Sequence, residues 1–205
     1  MKYKIAYYLK AWLTLPHLVV YCFSGSKALI RRDVEVWKVN KRVPERLGIN
    51  PAKKRTVLSL SYLLAMAPEF RNLFYLRVGT VKFLLYYLRP LSSLYLNTPS
   101  GRFGTGNYFN HGFSTIINAK SVGNDCYFCQ QVTVGTNVSR KYGVGEPAIG
   151  NHVYVGAGAI IIGPITIGDY VTIGANCVVA KDIPAHSTVY SAPVTVVPDE
   201  SGSSL

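Results

Sequence analysis

Acidic side chains are scarce in this chain, and scarcest in its first half. Residues 1–103 hold 18 Lys and Arg but only 4 Asp and Glu, whereas residues 104–205 hold 4 and 6. The front half is strongly cationic and the back half nearly neutral. Such a front half favours anionic partners: a nucleic acid, an anionic membrane or an anionic substrate. It is also rich in runs such as Ile5-Ala6-Tyr7-Tyr8-Leu9 and Phe83-Leu84-Leu85-Tyr86-Tyr87-Leu88. No nucleic-acid motif is visible, and this mixture suits a membrane surface or a protein interface better than a nucleic-acid groove.

Long hydrophobic runs are missing too. Lys10, Pro16 and His17 interrupt residues 5–23, and Val57–Ala67 is eleven long, against the ~18 apolar residues a spanning helix needs. The basic start Met1-Lys2-Tyr3-Lys4 is followed by no clear small-residue cleavage site. The expected location is cytoplasmic, with peripheral contact at an anionic inner membrane face set against packing of these apolar faces on each other. Cysteines number four. Cys126 and Cys129 make one Cys-x-x-Cys, but no second pair or nearby His completes a zinc site, so no metal is expected.

What the chain does have is a period. An apolar residue opens every sixth position: Ile116, Val122, Phe128, Val134, then Ile149, Val155, Ile161, Ile167, Ile173 and Val179. Gly follows at six of these ten steps, where chance would place about one. The fifth position is small or β-branched: Cys126, Val132, Val153, Ala159, Val171, Cys177. A hexapeptide period marks a parallel β-helix, in which six residues make a face and three faces make a triangular turn. The opener is expected to point inward, and Gly to sit where the chain bends. Each turn buries its apolar edge only by stacking on the next. The step from Val134 to Ile149 is fifteen residues, six plus nine, so a loop leaves the coil over 136–148. A loop on a strict solenoid usually shapes a site.

The predicted class is α+β: a helical domain over 1–97, a coil over 98–193 and a flexible tail over 194–205. In the helical part, Tyr3–Tyr21 and Val57–Leu88 read as long helices, and the basic stretch Arg31–Arg55 as a short helix or two with loops. Pro16, Pro44, Pro51, Pro68 and Pro90 are expected at helix boundaries or first turns.

His111 in Asn110-His111-Gly112-Phe113 is the candidate base, because imidazole can accept a proton from a hydroxyl near neutral pH. His152, His186 and His17 have structural readings. From Val155 to Pro184 the run VGAGAIIIGPITIGDYVTIGANCVVAKDIP resembles the hexapeptide-repeat acyltransferases. The arrangement is most similar to their serine acetyltransferase branch: a helical front, a His-containing step, a loop after Val-Thr-Val-Gly135, and a coil ending near Ile-Pro. The resemblance spans about residues 65–193.

It implies a left-handed β-helix, a homotrimer (or a dimer of trimers) with sites between neighbouring coils, and acetyl-CoA as co-substrate. It places His111 as the general base. Gly135, Thr136, Ala157 and Ala175 fall along the cofactor groove, and Lys181, on charge alone, meets a CoA phosphate. Direct transfer follows, with no acyl-enzyme.

Departures bear on the acceptor. Serine acetyltransferases carry an Arg-His pair before a Pro in the loop, where this chain has Gly145-Glu146-Pro147. The acid preceding the catalytic His is Asn110 here, and the acid that orients it falls near Leu96-Asn97. A carboxylate at Glu146 repels a serine carboxylate. The expected acceptor is therefore an uncharged hydroxyl, a sugar of a capsular or surface polysaccharide, with Asn110, Glu146 and Tyr142 on the acceptor side beside Arg140 and Lys141. The alternative is serine O-acetylation in cysteine biosynthesis. Further readings are acetylation of an amino sugar, a non-catalytic scaffold, or a metalloenzyme; only His111 and His152 stand on the coil for the last.

Overall fold

A computed structural model describes residues 2–50, 55–139 and 143–192. Six helices precede a left-handed parallel β-helix. They are α1 (Lys2–Ala11), α2 (Leu15–Phe23), α3 (Lys27–Asn40), α4 (Val43–Leu47), α5 (Thr56–Met66) and α6 (Pro68–Val78). A short 3₁₀ turn, Trp12–Thr14, joins the first two into one rod.

The helix breaks follow proline and glycine chemistry. Pro16, Pro44 and Pro68 each sit in a first turn, where the missing N–H costs nothing. Ala67, at φ −122° and ψ 93°, is pushed out of the helical region by Pro68. The expected Val57–Leu88 helix is therefore three pieces: α5, α6 and a 3₁₀ segment, Gly79–Leu84. Gly79 ends α6 at φ +62°, a conformation in which a Cβ would be strained. In the stretch read as loops and short helices, α3 alone runs fourteen residues. Its buried residues Ile30, Asp33, Val34 and Trp37 have the i, i+3, i+4, i+7 spacing of one helix face. Helix α5 is buried nearly all round and is the centre of the bundle.

The coil has three parallel faces. The first stacks Leu94–Leu96, Thr115–Ile117, Thr133–Gly135, Ile160–Ile162 and Val178–Val179. The second stacks Ser121–Val122, Ala148–Ile149 and Thr166–Ile167, extended by bridges from Phe103 and Ile183. The third stacks Tyr108–Phe109, Tyr127–Phe128, Tyr154–Val155, Thr172–Ile173 and Thr188–Val189. Ile160 pairs with Val178, eighteen residues on, and with Thr133, twenty-seven back. The nine extra residues are the interruption in the repeat.

Nine of the ten expected openers, Val122 through Val179, are buried. Ile116 is the exception: it is exposed, and Ile117 points inward instead. Ile117 pairs with Val134 in the ladder, so the inward phase is set from the following turn and slips by one residue at this early step. The glycines have a different cause from the one expected. At Gly104 and Gly123 a Cβ would overlap backbone of the next turn, Gly123 and Gly150 respectively. Close approach of stacked turns selects them there. The left-handed corners are held by other residues, among them His111, Asp125, Gln131, His152, Tyr170, Asn176 and His186. His152, Tyr170 and His186 stack in one ladder, with ring centroids 4.6 and 5.0 Å apart.

A buried ion pair bolts the bundle to the coil. Arg77 Nε of α6 donates to Asp33 Oδ2 of α3 at 3.0 Å, and both side chains are almost inaccessible. The remaining Arg77 donors reach Phe103 O at 2.6 Å and Gly104 O at 2.7 Å, while Asp33 accepts from Gly106 N–H at 2.8 Å. Trp37 Nε1 donates to Asn107 O at 2.8 Å. Asn107 in turn satisfies Gly104 O, Gly123 O and Cys126 N–H.

Three outcomes follow. Arg77→Met leaves Asp33 buried without its charge partner and lowers unfolding free energy by about 3–5 kcal/mol. Gly123→Ala costs about 3 kcal/mol by forcing two turns apart. His17 is fully buried between Tyr75 and Tyr87 hydroxyls, at 2.9 and 3.3 Å. Burial first, then the Arg71 charge, lowers its pKa from 6.5 to about 4. Between those two values the unfolded chain binds the proton and the native chain does not, so stability falls as pH drops through that window, by about 3 kcal/mol in all. Denaturant titrations of wild type and His17→Gln across it measure the effect; a parallel pH dependence in both proteins contradicts it.

Candidate active site

His111 follows the strand Tyr108–Phe109 at the corner between the third face and the first. Its backbone is left-handed, at φ +57°, sparsely populated for a non-glycine residue. Asn110 N–H donates to Phe128 O at 2.8 Å, and Gln131 N–H to Phe113 O at 3.0 Å. These bonds to the next turn fix the bend on both sides. His111 itself is exposed and Asn110 half-buried.

Glu69, in the first turn of α6, reaches the same bend. Its Cγ lies 3.6 Å from where a Cβ on Gly112 would stand. Lys41 at the end of α3 pairs with it at 3.8 Å, and Lys41 also lies over the Trp37 and Tyr108 rings. Sequence reading missed this ion pair. Its local signal was only an acid in the turn after Pro68; the ion pair spans 28 residues and the approach of Glu69 to Gly112 spans 43, so both are tertiary.

Four further corner residues stack below His111: Gln130, Ala157, Ala175 and Asn176. Gly158 N–H donates to Gln130 O at 3.1 Å, and Asn176 N–H to Ala157 O at 2.8 Å. Ala157 and Ala175 therefore share an edge with His111. Gly135, Thr136 and Lys181 do not: they follow strands of the first face and lie on its other edge, against the second face. The two groups are separated by the width of a face, roughly 15–20 Å at about 3.3 Å per residue.

The insertion leaves from this other edge. Asn137–Ser139 and Gly143–Gly145 pair as an antiparallel hairpin. Its base packs between turns: a Cβ on Gly145 would stand only 2.8 Å from Pro164, Asn118 Nδ2 donates to Thr136 Oγ1 at 3.5 Å, and Lys120 N–H to Pro147 O at 2.8 Å. Glu146 is half-buried at that base. Arg140, Lys141 and Tyr142 lie outside the described residues. Within one chain, Glu146 and His111 stand at different corners of the triangle.

Cys126 is buried, and burial pushes its thiol up to about 12. Its Sγ lies 3.2 Å from Gly150 O. Among the described residues no three His, Cys, Asp or Glu side chains are placed to hold a metal ion.

Known proteins match these features. Residues 147–181 match the family model "Bacterial transferase hexapeptide (six repeats)". A serine acetyltransferase of Synechococcus elongatus is 36% identical over 122 residues, which is 59% of this chain and 50% of that protein. One from Helicobacter pylori is 34% identical over 95 residues, 46% of this chain and 55% of that protein. This chain thus spans about half the length of these curated relatives. Among solved structures, serine acetyltransferase 1 of Entamoeba histolytica with L-cysteine superposes with a TM-score of 0.56 at 24% identity, over 87% of this chain and 64% of that one. The Neisseria gonorrhoeae serine acetyltransferase with serine gives 0.54 at 22%, over 93% and 73%. At these identities the likeness is one of fold.

Excision of residues 137–145 restores an eighteen-residue turn. The shortened chain is expected to stay folded, within about 1 kcal/mol of wild type by denaturant titration, because surface insertions add little closure entropy. Loss of the far-ultraviolet β signal contradicts a hairpin that serves only the site. By its repeat and its coil, this chain carries a hexapeptide-repeat β-helix similar to that of the serine acetyltransferases.

Proposed function

We propose that this chain is an acetyl-CoA-dependent O-acetyltransferase that uses His111 as general base and forms its site between two copies, in a homotrimer. The observation that carries this reading is the split across the first face. One edge bears His111, Ala157 and Ala175; the other bears Gly135, Thr136, the hairpin and Lys181. Apposing the first edge of one copy to the second edge of its neighbour brings the two halves together.

The chemistry is direct transfer. A neutral ring nitrogen of His111 takes the proton from the acceptor hydroxyl as its oxygen attacks the thioester carbonyl. Backbone N–H groups stabilise the tetrahedral oxyanion. The intermediate collapses, the C–S bond breaks, and the CoA thiolate takes the proton back from His111. The small side chains of Ala157 and Ala175 let the pantetheine arm approach the main chain, and Lys181 offers a cation to a CoA phosphate. The use of acetyl-CoA fits a cytoplasmic location.

L-Serine is the acceptor that the names of the relatives support, and it takes precedence over the polysaccharide sugar expected from the sequence. One feature supports a neutral sugar hydroxyl as a second reading: Glu146 stands at the base of the hairpin in place of the Arg-His pair of the serine acetyltransferase pattern, and its carboxylate would repel that of serine.

The experiment is CoA-thiol release from acetyl-CoA with L-serine, then with a panel of sugars and glycans, for wild type and His111→Ala. The variant is expected to lose about 10²–10⁴-fold in kcat. Turnover of serine supports the first acceptor, and turnover of sugars alone the second. Wild-type rates in His111→Ala overturn the role of the base.

A further inference from the structure

The helical rod at the N-terminus carries an apolar stripe that none of the described residues covers. Ile5, Tyr8, Leu9, Trp12, Leu15, Val19 and Phe23 recur at three- and four-residue steps along α1, the 3₁₀ turn and α2, and all are exposed, Leu9 at 71% and Phe23 at 87%. This spacing makes one side of a helix. The opposite side, through Tyr7, Thr14, His17 and Tyr21, is the one buried in the bundle. A second exposed patch continues the surface: Val81, Phe83 and Leu84, the last at 80%. The two patches join through a groove lined by Val19, Val20, Phe23, Val78 and Val81, and Tyr87 Oη ties them by donating to Leu13 O at 2.7 Å.

Charge selects the occupant. From Met1 to Arg32 there are six Lys and Arg and no acid, and from Phe70 to Asn124 there is again no acid. Lys4, Lys10, Lys27, Arg31 and Arg89 on these segments are exposed. Of the bundle acids, Asp33, Glu35 and Glu69 are taken up in ion pairs with Arg77, Lys38 and Lys41, which leaves the exposed Glu45 of α4 as the one remaining acid against these cations. The rim of the stripe therefore presents unneutralised positive charge. A second copy docked two-fold on this stripe would set the same cations against themselves. Anionic lipid headgroups supply the opposite charge, while the Tyr and Trp rings suit the headgroup boundary. Among the described residues no helix is long and apolar enough to cross a membrane.

We propose that this face seats the protein on an anionic lipid surface, with the α1–α2 rod lying in the interface plane and the coil held away from it. Docking then concentrates the enzyme where membrane-borne acceptors or other membrane enzymes work. The proposal does not depend on which acceptor the site uses.

The test is co-sedimentation of the full chain with phosphatidylcholine vesicles, with and without about 30% phosphatidylglycerol, alongside sedimentation velocity without lipid. Binding to the anionic vesicles is expected to exceed binding to neutral ones at least tenfold. It should fall at least tenfold in Leu9→Ser/Phe23→Ser and in Lys4→Glu/Lys10→Glu, at unchanged thermal midpoint and unchanged CoA release. All four positions are exposed and lie in α1 and α2 rather than in the coil, so these variants fold. Equal binding to both vesicle types overturns the proposal. So does absence of binding, and so does a drop in oligomer mass in Leu9→Ser/Phe23→Ser, which would make the stripe an interface between copies.

Discussion

The Asp33–Arg77 pair, closed off from water between the bundle and the top of the coil, is the contact on which the other elements depend. A parallel β-helix has a beginning, and its first turn has no turn above it to satisfy its backbone. Arg77 supplies that function by capping Phe103 and Gly104 carbonyls, and Asp33 by accepting from Gly106 N–H. Burying two charges is expensive unless every donor and acceptor is used. Here the guanidinium reaches the carboxylate and two carbonyls together. The bundle is therefore the cap of the solenoid, and the two parts share one continuous core.

That cap also sets the position of the candidate base. Trp37, one helical turn beyond Asp33, holds Asn107, which leads into the strand Tyr108–Phe109 just before Asn110 and His111. Lys41, one turn further along α3, pairs with Glu69 beside Gly112. One face of α3 thus runs from the ion pair to the bend that displays His111. Below that bend, the regular stacking of corners repeats the edge downwards through Ala157 and Ala175. The hairpin stands on the next edge round, so the geometry of a triangular coil itself separates base from loop.

Much of this was legible in the residues. Nine inward openers, the nine-residue interruption and the proline-started helices are local or periodic signals, and periodicity survives translation into structure. What failed was non-local. Ile116 fits the period, yet its phase is fixed by pairing with the following turn, and Ile117 takes the inward place. The repeat glycines do follow strands at the corners, but Gly104 and Gly123 answer to the neighbouring turn's backbone, while the left-handed φ angles are taken by His, Asp, Asn, Gln and Tyr together with Gly106, Gly158 and Gly163. Glu69, brought from the bundle to the bend at Gly112, is a contact no spacing rule announces. The even row of candidate site residues also divides between two edges, because a linear repeat does not say which corner a residue turns.

The central claim is that base and hairpin act in one site only when contributed by different copies. Subunit mixing tests it most directly. His111→Ala and the 137–145 deletion, each inactive alone, are dissociated together, reassembled at equal ratio and assayed for CoA release with the acceptor that wild type uses. Random trimers place an intact His edge against an intact hairpin edge in roughly a quarter of the sites. The account predicts recovery of about that fraction of wild-type activity. Activity no higher than that of the two separate variants, in trimers verified as mixed, would contradict it.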